Sequence, residues 1–550
     1  MKATMMDFPL SLNHILDHAA RMHGDKKILS QAPDKSLREH TYADLHQRSH
    51  ALAKALTDAG LKPGDRVATL MWNHHAHVET YFGTALAGGV YHTLNPRLAP
   101  QDLIYIMKHA GDRFLIIDDT MWKLYAALQS HLNLDRVFIV RWNDAPVPDG
   151  ADDYEAFLQG GMNADWVAPA VDENQAAGMC YTSGTTGRPK GVVYSHRALV
   201  LHSFTSALPS TLGLEEHDVV VPVVPMFHVN AWGLPFTLAL IGATMVMPGP
   251  HLDPESLLDL YVKTQTTVSA GVPTIWMGIQ KMLDAHPGRW DDRAQNIRMV
   301  VGGAAASEAL IRGLDKHRMT VVHAWGMTET TPLGTVASLK GELCHADEAT
   351  QLQARLKQGW PAPFVEIRGR GDDGFIPWDG KTYGELEIRG PWIAASYYNL
   401  PEAADSWTED GWFRTGDVVT IDAHGYMKIT DRTKDLVKSG GEWISSQDLE
   451  NHLMGHPSIA EAAVIAVDHP KWQERPLAVV VLKDGHTLDK QALNDYLKGT
   501  FATWWLPDGY VQIDEIPRNA TGKFLKRKLR EDYADWQPQA DDPGAPGSKS

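Results

Sequence analysis

The feature that most constrains the fold of this chain is an alternation of helix, turn and short apolar strand that repeats through its first several hundred residues. In one such unit, apolar residues recur at helical spacing from Leu52 to Ala59, glycines and a proline follow, and residues 67–71 have the composition of a strand. Strands that alternate with helices over such a length predict layered α/β subdomains with largely parallel sheets. Further predicted elements are a helix at residues 77–87 and strands at 114–117, 137–140 and 219–224.

The pattern changes near residue 364 to short strands joined by close turns. These segments alternate apolar and polar side chains at period two, which is typical of antiparallel strands with one solvent-facing side. They are predicted at residues 365–368, 384–388 and 425–429.

A further globular segment follows residues 431–434. Its first helix is expected to begin at Ser445, with Asp448 in the capping-box position. The other elements predicted in this segment are strands at residues 462–467 and 477–482 and a helix at 488–497.

These changes in the pattern of predicted helices and strands indicate the domain organisation. A chain of 550 residues is too long for one core, because hydrophobic cores stop growing at roughly 250–300 residues. The last residues have the composition of a disordered tail. We predict an α/β protein with a large N-terminal domain over residues 1–431, a small β-barrel-like subdomain within it at about 364–431, a hinge at 432–434, a small α+β C-terminal domain over 435–535 and a tail over 536–550.

Charge and cysteine content exclude several classes of protein. With 51 Lys and Arg against 68 Asp and Glu the formal charge is −17, which disfavours nucleic acid and anionic lipid as partners, because both recruit clustered Lys and Arg. Cys180 and Cys344 are too few for a disulfide framework or a zinc site of paired thiols. The sequence shows no secretory signal and no apolar segment of membrane-spanning length. We therefore expect a soluble protein of the cytoplasm.

Residues 181–191 combine hydroxyls, glycines and cations after an apolar lead, in the order YTSGTTGRPKG. Such a loop offers a polyphosphate backbone N–H groups, side-chain donors and a positive charge. The Walker pattern has four residues between its glycines and a Ser or Thr after its Lys, whereas Gly184 and Gly187 are closer together and Gly191 follows Lys190. The segment predicts a phosphate loop outside the P-loop class. Taken alone, it could also be a flexible surface loop of turn residues.

This segment resembles the signature of the adenylate-forming superfamily, which contains acyl- and aryl-CoA synthetases, the adenylation domains of peptide synthetases and the luciferases. Eight further segments match the family's motifs in the family's order. They are VPMFHVNAW from residue 224, AGVPT from 270, VVGGAA from 300, AWGMTET from 324, GELEIRG from 384, WFRTGD from 412, DRTKDLVKSGGEWIS from 431 and PRNATGKFLKRKLR from 517.

The resemblance implies a reaction and the residues that carry it. An ATP-dependent enzyme of this type activates a carboxylic acid as acyl-AMP, releases pyrophosphate and passes the acyl group to CoA. Glu329 matches the family's Mg²⁺ ligand and Thr185 the accompanying hydroxyl, a hard oxygen pair that suits this ion. Lys523 matches the lysine that reaches the α-phosphate and the substrate carboxylate, and His228 matches a further catalytic position. Taken alone, Glu329 could face the amides of its own helix N-terminus, and Lys523 could belong to a solvated basic face.

The same resemblance assigns a nucleotide site. Asp417 would accept both ribose hydroxyls through its two carboxylate oxygens, with Arg432 as a charged partner. Trp325 stands where the family usually has Tyr, so adenine stacking is expected to survive, although a core aromatic is the alternative. His323 and Ala324 depart from the usual Gln-Gly or Asn-Gly, which puts their polar contact to the adenylate in question. The other residues assigned to ATP or AMP are Thr182, Ser183, Gly184, Thr185, Thr186, Gly187, Lys190, Gly303, Ala304, Gly326, Thr328, Lys434 and Lys438.

Two further features follow from the resemblance. Thr433 and Lys434 match the hinge about which the family's small domain swings, so that one active site serves both half-reactions. Fatty acyl relatives pair through their large domains, so a homodimer is expected. The residues assigned to the CoA channel, where glycines let the pantetheine arm pass close to the backbone, are Ser439, Gly440, Gly441 and Trp443.

The acyl pocket that the resemblance implies is small or apolar in composition. No Lys, Arg or Asp in it would recognise an ammonium group or a second carboxylate, so an apolar acid is expected rather than an amino acid. Trp232 corresponds to a residue proposed to gate the acyl tunnel, and an ordinary core Trp is the alternative. The residues assigned to the pocket are Val229, Asn230, Trp232, Ala270, Gly271 and Gly302.

The segment FHVNAW is similar to bacterial medium- and long-chain fatty acyl-CoA synthetases and to the synthetases that activate methylthio-propionate. A medium- or long-chain fatty acid is the leading expectation, and the short methylthio acid stays open. An acyl-adenylate enzyme that delivers to a carrier protein or amine, and a luciferase-like oxygenase, also remain alternatives. A nucleotide-binding protein without turnover is disfavoured, because such a protein needs no mobile lysine at a reacting centre.

Overall fold

The computed structural model describes residues 1, 3–162, 166–182, 188–290, 293–432, 435–439, 442–518, 524–539 and 542, without the side chain of residue 442. The chain divides into two compact units. The first comprises Met1–Glu366 and Ile388–Phe413, and the second comprises Ile367–Glu387 and Arg414–Ser550. Much of the β-rich segment that we placed in the large domain thus groups with the C-terminal residues. The predicted hinge residues 433 and 434 lie outside the described residues, and the hinge stays a prediction.

Helices occur in both units. In the described residues they are α1 (Leu12–His23), α2 (Tyr42–Asp58), α3 (His75–Leu86), α4 (Pro100–Ala110), α5 (Trp122–Ala126), α6 (Tyr154–Gln159), α7 (His196–Ala207), α8 (Val229–Trp232), α9 (Leu234–Ile241), α10 (Pro254–Thr264), α11 (Pro273–Ala285), α12 (Glu308–Lys316), α13 (Glu348–Leu356), α14 (Ser446–Leu453), α15 (Lys490–Lys498) and α16 (Lys526–Asp532).

The strands follow the same chain order. They are β1 (Lys27–Gln31), β2 (Leu37–Thr41), β3 (Arg66–Leu70), β4 (Val90–Thr93), β5 (Asp112–Asp118), β6 (Arg136–Val140), β7 (Asp152–Asp153), β8 (Ala176–Tyr181), β9 (Gly191–Ser195), β10 (Val219–Pro222), β11 (Thr244–Met247), β12 (Val268–Gly271), β13 (Arg298–Val301), β14 (Thr320–Gly326), β15 (Leu333–Val336), β16 (Trp360–Pro361), β17 (Glu366–Gly371), β18 (Gly374–Phe375), β19 (Gly384–Arg389), β20 (Phe413–Ile421), β21 (Met427–Arg432), β22 (Val437–Ser439), β23 (Glu442–Ile444), β24 (Ile459–His469), β25 (Gln473–Leu482) and β26 (Gly509–Gln512).

The first unit contains two large sheets. The nine-stranded sheet has the order β16-β15-β14-β13-β12-β10-β11-β1-β2, and its central strands from β14 to β1 are parallel. The seven-stranded sheet has the order β7-β6-β5-β3-β4-β8-β9 and is parallel except for the pair β8 and β9. The predicted α/β layers with largely parallel sheets are therefore confirmed.

Apolar side chains on both sides of these sheets form the cores of the first unit. Trp276 and Met299 are fully buried in the cluster between the nine-stranded sheet and its helices, and Leu115 and Ile117 occupy the corresponding position on the seven-stranded sheet. Central parallel strands buried on both faces must be apolar throughout, which is why they occur as short runs of Val, Ile, Leu and Met.

The second unit contains two smaller sheets. One has the order β18-β17-β19-β20-β21, with antiparallel pairing of β17 with β18 and of β20 with β21. The other has the order β23-β22-β25-β24, and β26 pairs with β25 in parallel. Ser445 caps α14 as predicted, because its hydroxyl accepts a hydrogen bond from the backbone N–H of Asp448 at 3.0 Å.

Part of the predicted tail packs onto the second unit. A Cβ atom at Gly509 would lie 2.2 Å from the Trp536 ring, so this glycine makes room for the indole. Asp542 is buried, and one carboxylate oxygen lies 3.1 Å from the Lys490 ammonium. Among the described helices, none has both the length and the apolar composition needed to cross a bilayer.

Candidate active site

Four of the predicted site segments lie at one edge of the nine-stranded sheet. Residues 224–232 follow β10, residues 270–271 end β12, residues 302–303 follow β13, and residues 323–328 end and follow β14. These four strands are parallel neighbours, so their carboxyl ends meet at the same edge. In open α/β sheets this edge is where ligands bind.

The predicted phosphate loop connects the antiparallel strands β8 and β9 of the other sheet. Two hydrogen bonds close its base, one from the Thr182 N–H to the Lys190 carbonyl at 2.9 Å and one from the Lys190 N–H to the Thr182 hydroxyl at 3.0 Å. The backbone N–H of Tyr398 donates to the Gly191 carbonyl at 2.8 Å. The ends of the loop are therefore fixed.

A buried carboxylate lies beside this loop. Glu329 is 5% exposed and belongs to a short 3-10 turn, Thr328–Thr330, that follows β14. The Tyr397 phenol donates a hydrogen bond to its Oε1 atom at 2.6 Å. The Lys190 ammonium lies 4.6 Å from the centroid of the same Tyr397 ring. One aromatic side chain thus connects the cation of the loop with the buried carboxylate.

A second tyrosine supports the turn that carries Glu329. The phenol of Tyr194 on β9 donates to the Thr328 carbonyl at 2.8 Å. Burial raises the pKa of Tyr194 well above its usual value, and the neighbouring ionisable groups Cys180 and Glu329 raise it further. Tyr194 therefore stays a neutral donor at all ordinary pH values.

The residues assigned to adenine lie on β14. Trp325 is buried, and a Cβ atom at Gly334 would lie 2.6 Å from its ring, so the indole packs against the backbone of β15. His323 is also buried, and burial lowers its pKa to about 4, although nearby backbone groups raise it. Its Nδ1 has no hydrogen-bond partner within the described part of the chain. The neutral imidazole thus has one ring nitrogen without a described partner at the position where the family has Gln or Asn.

Gly326 is fixed by close backbone contact. A Cβ atom at this position would lie 1.8 Å from the Pro332 carbonyl oxygen, so no other residue fits. Gly303 has φ +80°, and Ala304 beside it is exposed. These two residues form the turn after β13.

The segment after β10 winds in the left-handed sense. Val229, Asn230, Ala231 and Trp232 have φ values of 47°, 57°, 50° and 57°. The next residue, Gly233, has φ 71°. Left-handed conformation costs a non-glycine residue roughly 1–2 kcal/mol, so the surrounding structure must hold this turn in place.

The left-handed turn brings Trp232 to the carboxyl end of β13. A Cβ atom at Gly302 would lie 2.9 Å from the Trp232 ring, so the indole lies directly on this glycine. Val229, the first residue of α8, and Ala270 and Gly271, at the end of β12, are buried. Ala270 also accepts the N–H groups of Val223 and Val224 at 2.9 Å through its carbonyl.

The Asn230 side chain points toward the core, where it belongs to a buried polar network. Its Nδ2 donates to the Tyr91 phenol at 3.1 Å, and its Oδ1 accepts from the Cys180 thiol at 3.3 Å. The Cys180 sulfur also lies 3.2 Å from the Thr93 hydroxyl. Burial raises the pKa of Cys180 to about 11, so its thiol remains protonated and acts as a structural donor.

His228 precedes the left-handed turn. It is partly buried, and its backbone N–H donates to the Pro225 carbonyl at 2.9 Å. It lies in the segment that follows β10, at the carboxyl edge of the sheet.

The second unit brings two of the predicted nucleotide residues together. Asp417 on β20 and Arg432 on β21 are cross-strand partners, with 2.9 Å between Oδ1 of Asp417 and Nε of Arg432. Asp417 is buried, whereas the Arg432 side chain is 37% exposed. The ion pair orients the Asp417 carboxylate and offsets the desolvation cost of burying its charge.

Three predicted residues follow on β22 and β23. Lys438 is exposed, and its ammonium lies 5.7 Å from the centroid of the Trp443 ring across the strand pair. The Ser439 hydroxyl accepts from Nη1 of Arg475 at 3.1 Å.

Several predicted site residues lie outside the described residues. They are Ser183, Gly184, Thr185, Thr186, Gly187, Lys434, Gly440, Gly441 and Lys523. Their roles stay predictions.

Sequence reasoning missed Tyr194 and Tyr397, the two phenols around the Glu329 turn. Tyr397 is 68 residues from Glu329 in the chain. No local pattern predicts that contact. Tyr194 lies on β9, the strand that follows the phosphate loop, and its place near that loop was the one signal available.

Comparison with protein families gives two matches. A model described as AMP-binding enzyme matches residues 16–398, and one described as AMP-binding enzyme C-terminal domain matches residues 448–523.

Individual proteins match along nearly the whole chain. A long-chain-fatty-acid–CoA ligase of Thermus thermophilus is 47% identical over 537 residues, which are 97% of this chain and 97% of that protein. A 3-methylmercaptopropionyl-CoA ligase of Ruegeria pomeroyi is 44% identical and covers 97% of this chain and 99% of its own length. Among solved structures, ATP-bound MatB from Rhodopseudomonas palustris superposes with a TM-score of 0.80 at 27% identity, covering 96% of this chain and 99% of that one.

Proposed function

Because this chain belongs to the AMP-binding enzyme family, we propose that it is an acyl-CoA synthetase that activates an apolar carboxylic acid with ATP and transfers the acyl group to CoA. The superfamily resemblance seen in the motif order is confirmed by that membership. ATP and CoA are the co-substrates of such ligases, and medium- or long-chain fatty acids are the acids that we favour.

The observation that carries the proposal is the row formed by Lys190, Tyr397 and Glu329. Adenylate formation brings an anionic carboxylate to the α-phosphate of ATP, so negative charge must be neutralised before the two can meet. Lys190 supplies a fixed positive charge at the base of the phosphate loop, and Glu329 supplies a fixed carboxylate 2.6 Å from the Tyr397 phenol. A passive nucleotide binder has no use for this pairing.

Glu329 fits the role of a Mg²⁺ ligand. Its Oε1 accepts a hydrogen bond from the Tyr397 phenol at 2.6 Å, which fixes the orientation of the carboxylate. A hard carboxylate oxygen is the donor that Mg²⁺ prefers, and Thr185 is proposed to supply a second oxygen. When bound, the ion would neutralise charge on the ATP phosphates. Tyr397 keeps the carboxylate oriented toward it.

We propose nucleotide-binding roles for predicted residues of each unit, taken separately. Asp417 would accept the ribose hydroxyls, and its ion pair with Arg432 holds the carboxylate in place. Trp325 would stack on adenine, and the neutral His323 ring would offer the polar contact. Lys523 is proposed to reach the α-phosphate.

The composition of the acyl site favours an apolar acid. Buried Val229, Ala270 and Gly271 and the Trp232 indole on Gly302 provide apolar or backbone surface. A charged acid would need a cation there to offset its desolvation. The two relatives named above differ in the length of the acid in their names, so chain length is the part of the proposal that needs measurement.

A panel of acids tests the proposal. The full chain is incubated with ATP, Mg²⁺, CoA and acids from three to eighteen carbons, including methylthio and aryl acids, and thioesters are detected by mass spectrometry. We expect acid-dependent pyrophosphate release with matching loss of free CoA, greatest for medium or long chains. Greatest activity with the methylthio acid would favour the short-acid alternative, and pyrophosphate release without CoA consumption would favour a carrier protein or amine as acceptor.

We also propose that the protein works in a reducing cytoplasm as a homodimer formed through its N-terminal part. Both cysteines are free thiols, Cys180 buried and Cys344 exposed, which suits a reducing compartment. Light scattering after size-exclusion chromatography will measure the mass of the assembly, and a monomer would contradict the dimer.

A further inference from the structure

A cluster of two histidines and one carboxylate lies between α1 and α2, away from the residues assigned to the reaction. Asp17 belongs to α1, and His46 and His50 lie one turn apart on α2. One potential ligand atom from each side chain lies within 4.8 Å of the other two. Nε2 of His46 is 3.1 Å from Oδ1 of Asp17. In a tetrahedral site with bonds of about 2.0–2.1 Å, ligand atoms are about 3.3 Å apart, so this pair already has metal-ligand spacing.

His50 presents a ring nitrogen that can bind a metal. Its Nε2 is buried and makes no hydrogen bond within the described part of the chain. The ring lies 4.3 Å from the His46 ring and meets Trp166 edge-on at 6.1 Å between centroids. A deprotonated imidazole nitrogen without a partner is the form that coordinates metals.

A second cluster of similar composition provides a contrast. His40, His75 and Glu79 also bring their ligand atoms together, but Glu79 is already paired with Arg48 through bonds of 2.7 and 3.1 Å. Tyr154 donates to the same carboxylate at 3.0 Å. The guanidinium occupies the position of a cation there and repels another.

The cluster of Asp17, His46 and His50 differs from the Glu79 cluster in the charged groups around it. The ionisable groups that act on His50 are His46 and Asp17. Asp17 brings the one carboxylate of the three side chains, and its Oδ1 lies 3.1 Å from Nε2 of His46. All three are partly exposed, so an ion can reach them from solvent.

We propose that Asp17, His46 and His50 bind one Zn²⁺ ion, which links α1 to α2. Two imidazole nitrogens and one carboxylate oxygen match the borderline-soft character of Zn²⁺, whereas Mg²⁺ prefers oxygen ligands alone. Three protein ligands leave further coordination positions for water. This site is separate from the proposed Mg²⁺ site and does not depend on the proposed function.

Calorimetric titration of the metal-free, untagged full chain with zinc chloride, at saturating Mg²⁺, tests the proposal. We expect one strongly bound Zn²⁺ per chain and a Zn²⁺-dependent rise in melting temperature. His46→Gln or His50→Gln should abolish both, and Asp17→Asn should weaken binding about tenfold or more. His217→Gln is the matched control, because His217 is an exposed histidine beside Glu215 in the same unit and should leave binding unchanged.

Two results would overturn the site. One is the absence of Zn²⁺ binding to the wild-type chain, and the other is binding that His46→Gln and His50→Gln leave intact. Circular dichroism without metal verifies that each variant folds. If a variant does not fold, Co²⁺ added to the wild-type chain gives an independent measurement, since visible absorption bands must report nitrogen ligation, and their absence contradicts the proposal.

Discussion

The Tyr397 phenol donates its hydrogen bond to Glu329 across 68 residues of chain, at 2.6 Å, while its ring lies 4.6 Å from the Lys190 ammonium. One side chain thereby sets the distance between a cation and a carboxylate that the proposed reaction needs at the same time. Neither charged residue can shift without disturbing Tyr397, so this phenol can be tested as a positioning residue.

Tyr397→Phe keeps the ring beside Lys190 and removes the hydrogen bond to Glu329. A hydrogen bond to a charged group is worth about 1.5–3 kcal/mol, so we expect adenylation to fall roughly 10- to 100-fold. The Mg²⁺ concentration for half-maximal pyrophosphate release should rise, because the carboxylate loses its fixed orientation. Tyr398→Phe is the control, since Tyr398 contacts the loop through its backbone. An unchanged Mg²⁺ dependence in Tyr397→Phe would contradict the positioning role.

Lys523→Ala should separate the two half-reactions. If Lys523 neutralises charge in the adenylation transition state, its removal should slow acyl-AMP formation on the order of 10²–10³-fold. Thioester formation from a supplied acyl-adenylate should be retained. Arg527→Ala, which removes an exposed cation paired with Glu531, is the control. Equal loss of both half-reactions would refute the assignment.

Gly302→Ala tests the contact with Trp232. The added methyl group would lie 2.9 Å from the indole, so the ring or the strand end must shift. We expect kcat/KM for long-chain acids to fall about tenfold, which is the usual effect of one methylene group that does not fit an apolar pocket. The KM for ATP should change little. Adding Trp232→Ala to the Gly302→Ala variant should restore kcat/KM for long-chain acids, because it removes the clash. Additive effects of the two substitutions across the acid series would mean that this contact does not set the preference.

Lys526→Met tests a buried ionic cluster in the second unit. The Lys526 ammonium lies 2.6 Å from Oε1 of Glu450 and 2.6 Å from the Ser446 hydroxyl. Burial raises the pKa of Glu450 to about 7, although Lys526 itself lowers it. Since the folded-state pKa lies above the usual value of 4.5, ionisation of Glu450 costs stability as pH rises through this window.

Without Lys526, the Glu450 carboxylate is buried without a counter-charge when it ionises. We expect Lys526→Met to lower the free energy of unfolding by about 3–5 kcal/mol at pH 8 and by clearly less at pH 5, where Glu450 is protonated. Urea unfolding followed by tryptophan fluorescence at both pH values measures this. Lys528→Met, which removes an exposed partner of Asp532, should have little effect at either pH. A loss of the same size at pH 5 and pH 8 would rule out the ionic explanation.

The sequence predicted those parts of the molecule that depend on short-range patterns. The Ser445 cap and the parallel layers follow from residue spacing and from the alternation of helices and strands. The tyrosine contacts around Glu329 could not be predicted, because they depend on how distant segments pack. The grouping of residues 367–387 with the C-terminal unit was missed for the same reason, since strand pattern alone does not say which neighbour a sheet joins.

The left-handed turn at residues 229–232 could not be predicted from the sequence either, because Val, Ala and Trp all disfavour that conformation. Its handedness has a consequence for how acid preference can change. A right-handed turn of the same sequence would send the Trp232 indole to another side of the sheet edge, so the direction of this side chain is imposed by Asn230 and its buried partners Cys180 and Tyr91. A substrate preference that depends on the direction of Trp232 would then also depend on residues that do not contact the acid. Substitutions at Cys180 or Tyr91 would alter this preference without changing any residue assigned to the acyl pocket.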